Sequence, residues 1–563
     1  MKRGLVLAFF IVLACMVFLI PHVQSNNINM QVEIDNEVKD NVKEEIKWNN
    51  PLNSIKLVDN DKLYEEDDIS DIEELYVTIL PPSNNEYVTF HVLNNNINLT
   101  DNNINNKYDY KSEIVIDYNR DINNSLIANA TIEIRGQTAR LSAQKSYKIK
   151  LYNNVDSWYG LKTINLNKHF YDDLRIRNKL SFDYFKKIQD FISLRTKFVK
   201  LYVRDLSDDG GNNDYINYGL YTAVEQPSKS FLKTHNLDVN GHLYKAEFFE
   251  FMNYSSIKLK DDFTYDKVEF EKILEIIGSE DHDKLISMIG AVNDYSQDIN
   301  KVVDKYFDRD NLLTWLGINI LFNNRDSNSR NFLLYSPLNS DKWFFLPWDY
   351  DDAWKNTTTA RWEGNISNYW GMVLFNRLFK DIDNVNMLTS KIKKLTKTIN
   401  KDNTLELLNN YHKVVKDNIY VSPDSEFIYK TSNDYDNEYF SLGDFTEKRL
   451  IEYNKSLENP MPIYLGEPIK KGEGHEFRWD ASYDLQSDEL TYDYILSRDI
   501  DFSDIVVSYE GLQTLHCHVD NLDKGKYYWK VIVRDSKGNW QEAFDNYIYN
   551  DEIYYGCKEY VVN

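Results

Sequence analysis

Three cysteines in 563 residues leave little room for chemistry built on sulfur. Cys15 lies inside an apolar run, and Cys517 and Cys557 are too few for a zinc site, which takes about four ligands. One disulfide or two free thiols fit that pair equally. Basic residues are also short: 65 Lys and Arg against 89 Asp and Glu give a formal net charge of −24. Nucleic-acid binding needs clustered Lys and Arg over phosphates, so the balance argues against that class. It suits a basic protein partner, or simply solubility. No internal repeat is present.

Core-forming residues are plentiful: 42% of the chain is hydrophobic, with 11 Trp, 28 Phe and 41 Tyr, and the length predicts two or three domains. Residues 1–4 are charged, 5–20 apolar, and 23–25 offer a small-residue cleavage site. Residues 1–25 therefore read as an export signal, cleaved or retained as a membrane anchor. The acidic stretch 26–70 reads as a solvated lead-in. Apolar–polar alternation at 74–80, 88–92, 131–135, 146–151, 198–203 and 218–225 predicts a β-rich first lobe. Asp173 is placed to cap a helix towards Ile192, and helical periodicity follows at 268–277, 299–307, 371–379 and 386–416. Beyond Asn459-Pro460-Met461-Pro462, a linker by composition, strands at 475–479, 491–497, 505–508, 514–519, 527–535 and 541–547 have sandwich spacing. Trp479 and Trp529 are expected in its core.

The chemistry concentrates in residues 323–351. Asp310-Asn311 is placed to cap a helix ending at Phe322; an acidic loop follows, then strands at 332–335 and 343–346. Asp326 and Asn331 keep the D-x-x-x-x-N spacing of a protein-kinase catalytic loop, in which the Asp takes the hydroxyl proton and the Asn binds metal. Asn324 stands where that pattern has His. Asp349 and Asp351 follow the second strand. Hard oxygen donors of this kind suit Mg²⁺ held against phosphate, so Asp326 is the candidate base, Asn331 and Asp349 the candidate metal ligands, and Asp351 a further ligand or a support. Lys148 is the candidate phosphate-contacting lysine, with Arg135 and Lys145 as alternatives, and Glu225 its candidate partner. Tyr244 and Trp343 offer flat faces for adenine.

Six segments in order carry a resemblance: 134–138 (Ile-Arg-Gly-Gln-Thr), 145–151, 219–226, 243–246 (Leu-Tyr-Lys-Ala), 324–335 and 347–351 (Pro-Trp-Asp-Tyr-Asp). From about Asp71 to Asn454 the chain resembles the spore-coat protein CotH kinase family. That resemblance implies an α+β fold, with a bilobal, atypical protein-kinase-like domain over 71–458. It implies transfer of the ATP γ-phosphate, with Mg²⁺ or Mn²⁺, to Ser or Thr of a spore-coat protein, a basic Ser-rich substrate being expected. The expected location is the cell envelope or spore surface. Residues 463–563 resemble a fibronectin type III module. The chain departs from ordinary kinases in lacking G-x-G-x-x-G ahead of Lys148, D-F-G and A-P-E. Two other readings use the same residues. One is a non-catalytic coat or envelope scaffold of kinase shape; the other is a D-x-D glycosyltransferase, which employs Asp349 and Asp351 but leaves Asp326 and Asn331 without a role.

Overall fold

Alternation of inward apolar and outward polar residues closes seven strands into a barrel. These are β1 (Glu73–Ile79), β2 (Lys111–Asp117), β3 (Ala130–Ile134), β4 (Tyr147–Leu151), β5 (Thr163–Asn167), β6 (Thr196–Asp205) and β7 (Ile216–Glu225). The order is β1-β2-β3-β4-β5-β7-β6, closed by parallel pairing of β1 with β6. β4 shows the rule: Tyr147, Ile149 and Leu151 point into the barrel core, while Lys148 and Lys150 point out. The computed structural model describes residues 56–65, 71–95, 110–117, 126–136, 138–208, 210–356 and 360–562. The expected export signal lies outside them, and no described helix is long and apolar enough to cross a membrane.

The second region is mainly helical around a small sheet of β8 (His242–Ala246), β9 (Leu274–Ile276), β10 (Phe332–Ser336) and β11 (Phe344–Pro347), in the order β11-β10-β8-β9. Helix Arg309–Phe322 runs through its centre with almost every residue buried. Its cap is Asp308, whose side chain accepts the Asn311 N–H at 2.8 Å; the cap expected at Asp310-Asn311 falls two residues late. The chain is thus of mixed α+β class.

Three local expectations change. The strand expected at 88–92 is a helix, Phe90–Asn95, because Phe90 and Leu93 pack onto the barrel as a one-turn pair. The helix expected at 268–277 stops at Glu271, and Leu274–Ile276 becomes the edge strand β9. The helix expected from Asp173 to Ile192 spans only Arg177–Phe185 and is buried all round, although it carries Arg, Asn, Lys and Asp. Its charges are paired internally: Arg177 with Asp172, and Lys179 with Asp183 at 3.2 Å. The end of the acidic lead-in is docked rather than free, since Leu57 is buried and Asp59 Oδ1 lies 2.6 Å from His235 Nδ1.

Beyond the helices come β12 (Ile469–Lys471), β13 (Gly474–Arg478), β14 (Leu490–Ser497), β15 (Ile505–Leu512), β16 (His516–Asp520), β17 (Gly525–Asp535), β18 (Trp540–Glu542), β19 (Asn546–Tyr549), β20 (Glu552–Tyr555) and β21 (Cys557–Val562). They form a three-stranded sheet, a five-stranded sheet and a β19–β20 hairpin. Trp479 and Trp529 lie in the shared core, as the strand pattern predicts. Cys517 and Cys557 are free and buried, and burial pushes both thiols up to about 12. The 459–462 linker is not a loose tether. Pro460, Met461 and Pro462 are buried, and Met461 belongs to the helical core.

Barrel and helices are joined by a buried ion pair. Lys168 Nζ and Asp424 Oδ1 lie 2.8 Å apart with both side chains about 1% exposed. Asp424 also accepts the Leu220 N–H at 2.7 Å and the Gln144 amide at 3.1 Å. Gly219, at φ +83°, leaves space for that carboxylate: a Cβ there would meet Asp424 Oδ2 at 1.8 Å. Removing one member of a buried pair strands the other, so Asp424→Ala is expected to lose ~3–5 kcal/mol in urea unfolding. Lys168→Met combined with Asp424→Asn should lose less; a double variant worse than the single would show that stranded charge is not the cause.

Candidate active site between the barrel and the hairpin

The site begins where helix Arg309–Phe322 ends. Asn323 caps it in the left-handed region at φ +51°, which Asn tolerates better than most residues. The next residue folds back: the Asn324 N–H reaches Asn319 O at 2.9 Å and its side-chain amide reaches Asn319 Oδ1 at 3.3 Å. Tyr350 O–H donates to the same Oδ1 at 2.8 Å. Ser327 Oγ donates to Asn324 O at 2.8 Å and meets the Tyr369 hydroxyl at 2.9 Å. These buried bonds fix the short turn Arg325–Ser327 on which Asp326 sits.

Asn331 and Asp349 stand at the two ends of the β10–β11 hairpin. Phe332 pairs with Pro347, so Asn331 just before β10 and Asp349 just after β11 emerge at the same end of the ladder. Both are in the left-handed region, at φ +58°. Non-glycine residues held there are strained and concentrate at functional sites. The Asn331 N–H is held by Ala246 O at 3.3 Å, tying β8 to the same corner.

Electrostatically the cluster is under stress. Burial, then the charge of Asp352, pushes Asp326 up to about 6, with Arg330 opposing. Burial, then Asp351, pushes Asp349 up to about 8 against Arg135 and Lys245. Asp351 goes the other way: burial alone would raise it, but His169, with Lys355 and Arg135, holds it below the usual carboxylate value. His169 Nδ1 lies 3.5 Å from Asp351 Oδ2, and Asn178 bridges the site by facing His169 Nε2 at 3.2 Å and accepting the Tyr350 N–H at 3.2 Å. No three of these carboxylates bring oxygens within 4.8 Å of one another. The donors therefore do not form a closed protein cage. They suit an ion such as Mg²⁺, which takes one or two carboxylates and completes its shell with water and phosphate oxygens.

Asp326, Asn331, Asp349 and Asp351 thus gather in one place, while the residues expected to contact nucleotide lie elsewhere. Lys148 points outward from β4 and pairs with Glu133 at 2.8 Å, its cross-strand neighbour. Glu225 is buried between Arg195 at 2.5 Å and His235 at 2.9 Å. That triad anchors the docked lead-in. Lys145 donates to the carbonyls of Arg140 and Ser142 and shapes its own loop. Tyr244 and Trp343 are fully buried and packed on each other, ring centroids 6.0 Å apart, so neither offers a free face. The Tyr244 hydroxyl is occupied by His282 at 2.8 Å.

The cations that face Asp349 are Arg135 and Lys245, both over the Trp348 ring, at 5.9 and 6.0 Å. In the sequence Arg135 is one of three basic candidates, beside Lys148 and Lys145, and Lys245 has no motif of its own within 243–246. His169 and Asn178 carried no signal, because neither has a motif and both sit between barrel and helices. As a core residue, Trp343→Ala should cost ~3–5 kcal/mol with no nucleotide present. Denaturant unfolding checks this; an unchanged midpoint would return Trp343 to the surface.

A family model described as CotH kinase protein matches residues 132–452. Inner spore coat protein H of Bacillus subtilis (strain 168) is 27% identical over 225 residues, covering 40% of this chain and 58% of that relative. Among solved structures, the Helicobacter pylori proinflammatory kinase CtkA is similar at 15% identity over 55% of this chain and 95% of that one, with a TM-score of 0.21. The family match covers more than half of the 563 residues and contains Asp326, Asn331, Asp349 and Asp351; the chain belongs to the CotH kinase family.

Proposed function

We propose that this chain is an atypical protein kinase that transfers the γ-phosphate of ATP to a Ser or Thr hydroxyl of a spore-coat or cell-envelope protein. The observation that carries the reading is the pair of half-buried, electrostatically raised carboxylates, Asp326 and Asp349, at one corner with Asn331 and with Arg135 and Lys245 facing Asp349. Family membership and the spore-coat relative support the kinase class and the location. The bilobal reading has support in the barrel, the helical region and the acids at their junction.

Asp326 is the base. The acceptor oxygen bonds to the γ-phosphorus as the bond from phosphorus to the β-phosphate oxygen breaks, ADP leaves, and the hydroxyl proton passes to the Asp326 carboxylate. Asn331 and Asp349 would hold Mg²⁺ or Mn²⁺, which when bound neutralises charge on the phosphates. Asp351, kept ionised beside His169, supports that loop. Arg135 replaces Lys148 as the phosphate contact, with Lys245, paired to Glu247 at 2.5 Å, beside it. The D-x-D glycosyltransferase reading would again leave Asp326 and Asn331 idle.

With Mg²⁺, radiolabelled ATP and a basic Ser-rich protein, the wild type should transfer label. Asp326→Ala and Asp349→Ala should each lower the rate by ~10²-fold or more while remaining folded. If both keep half of the activity, or if the wild type transfers nothing, the scaffold reading replaces this one.

The raised carboxyl of Asp349 predicts a stability effect of definite sign. Its folded value lies above its unfolded value, so the native state holds the proton more tightly, and stability falls as pH rises from about 4 to about 8. With divalent ions chelated, Asp349→Asn should therefore melt above the wild type near pH 8, with the gap closing near pH 4. A wild type that melts higher at pH 8 would mean that the anion is already satisfied by its neighbours.

A further inference from the structure

We infer that the C-terminal β region carries a second cation site, built from Asp484, Asp488 and Asp535, which takes a calcium-class divalent ion and fastens the junction with the helical region. The inference rests on these residues alone and stands whether or not the kinase reading does. β14 begins where Leu490 pairs with Asp535 at the end of β17, so the 484–488 loop and the 535–539 turn meet at one sheet end. One carboxylate oxygen from each Asp lies within 4.8 Å of the other two. Three oxygens so spaced leave a central ion no more than about 2.8 Å from each, so a small inward adjustment brings all three to Ca²⁺–O distances of ~2.3–2.6 Å.

The second observation is an orphan. Asp484 is 5% exposed. Its Oδ1 accepts the N–H groups of Gln486 and Asp488, each at 2.9 Å, while its Oδ2 is buried and accepts no hydrogen bond. A buried charged oxygen without a partner calls for a cation. Asp535 is similarly buried, and its Oδ1 is oriented by the N–H groups of Lys537 at 2.9 Å and Asn539 at 2.7 Å. Lys537 pairs with Asp488 Oδ2 at 2.8 Å, and its side chain is 54% exposed. A single solvated ammonium does not balance three carboxylates. It occupies the edge of the site as a competitor.

Ca²⁺ fits better than Mg²⁺, because three carboxylates on two loops offer an adaptable set of oxygens, whereas Mg²⁺ demands near-ideal octahedral geometry and usually takes only one or two carboxylates. The place of the site gives it a role. Tyr483, next to Asp484, stacks on Trp370 of the helical region at 5.6 Å and donates its O–H to Lys380 O at 2.9 Å. Gln486 donates to Leu457 O at 3.1 Å, and Met461 N–H donates to Tyr483 O at 2.8 Å. An ion holding 484–488 to the 535–539 turn would hold this contact.

The test is calcium titration of the full chain by calorimetry, with melting followed in parallel, on wild type, Asp488→Asn and Lys537→Met, all in an Asp349→Asn background to weaken the other acidic cluster. The parent should bind one Ca²⁺ with a Kd of ~0.1–1 mM or tighter and melt higher with it. Asp488→Asn should weaken binding ~10-fold or more while its circular dichroism stays that of the parent. Lys537→Met should bind more tightly, since the competing ammonium is gone. Absence of calcium binding, equal binding by the parent and Asp488→Asn, or Lys537→Met binding no tighter than the parent would each overturn the site. An equal response to Mg²⁺ would overturn the choice of ion class.

Discussion

Lys168 and Asp424, buried 2.8 Å apart, set the relation of the barrel to the helices, and the candidate site depends on that relation. A buried pair of this kind adds less net stability than it adds definition, because the charges tolerate only one arrangement. Its polar neighbours extend the pair: Lys168 also donates to Tyr218 O at 2.7 Å, and Arg175 spans from Lys168 O to Gln144 Oε1. Just past this seam come His169 and the buried helix Arg177–Phe185, which carries Asn178. Through His169 and Asn178 the seam reaches Asp351 and the Tyr350 backbone. Slippage at Lys168–Asp424 would therefore be felt at the acids.

The acidic corner is not uniformly negative. The chain carries a net −24, but Arg135 and Lys245 come from different sheets to face Asp349. Local geometry outweighs net charge, because interactions within a few ångströms in a recessed site are screened far less than those across the surface. Two left-handed residues, Asn331 and Asp349, store conformational strain where the acids must converge. The hairpin between them is apolar and buried, so it is stiff enough to keep that strain.

The C-terminal sheets do not hang from the helical region on a tether. Trp362 packs on Phe544 at 5.0 Å, Arg361 lies over Trp540 at 4.2 Å, and the Tyr464 hydroxyl fills the space beside Gly371. With Met461 buried across the junction, the β region is part of the same packed body. The acidic triad at Asp484, Asp488 and Asp535 lies at the edge of this contact rather than at the proposed kinase chemistry.

Several properties that depend on neighbours in the chain were legible in the sequence, although the segments 88–92, 173–192 and 268–277 took other local forms once packed. The Asp326–Asn331 spacing, the β10–β11 hairpin and the alternation in β3, β4, β6 and β7 follow from local periodicity and loop length. The core roles of Trp479 and Trp529 follow in the same way. Tertiary structure alone decided which side chains meet across long separations. Periodicity says that a residue faces inward or outward, not what it meets there. So Trp343 and Tyr244, aromatic and suitably placed in sequence, pack against each other in the core, and Glu225 serves a buried histidine rather than Lys148. His169, Asn178, Arg135 and Lys245 gain their positions only because the barrel closes against the helices. Desolvation at that seam disfavours the ionised carboxylates, and so the carboxyls of Asp326 and Asp349 hold their protons above the ordinary carboxylate range.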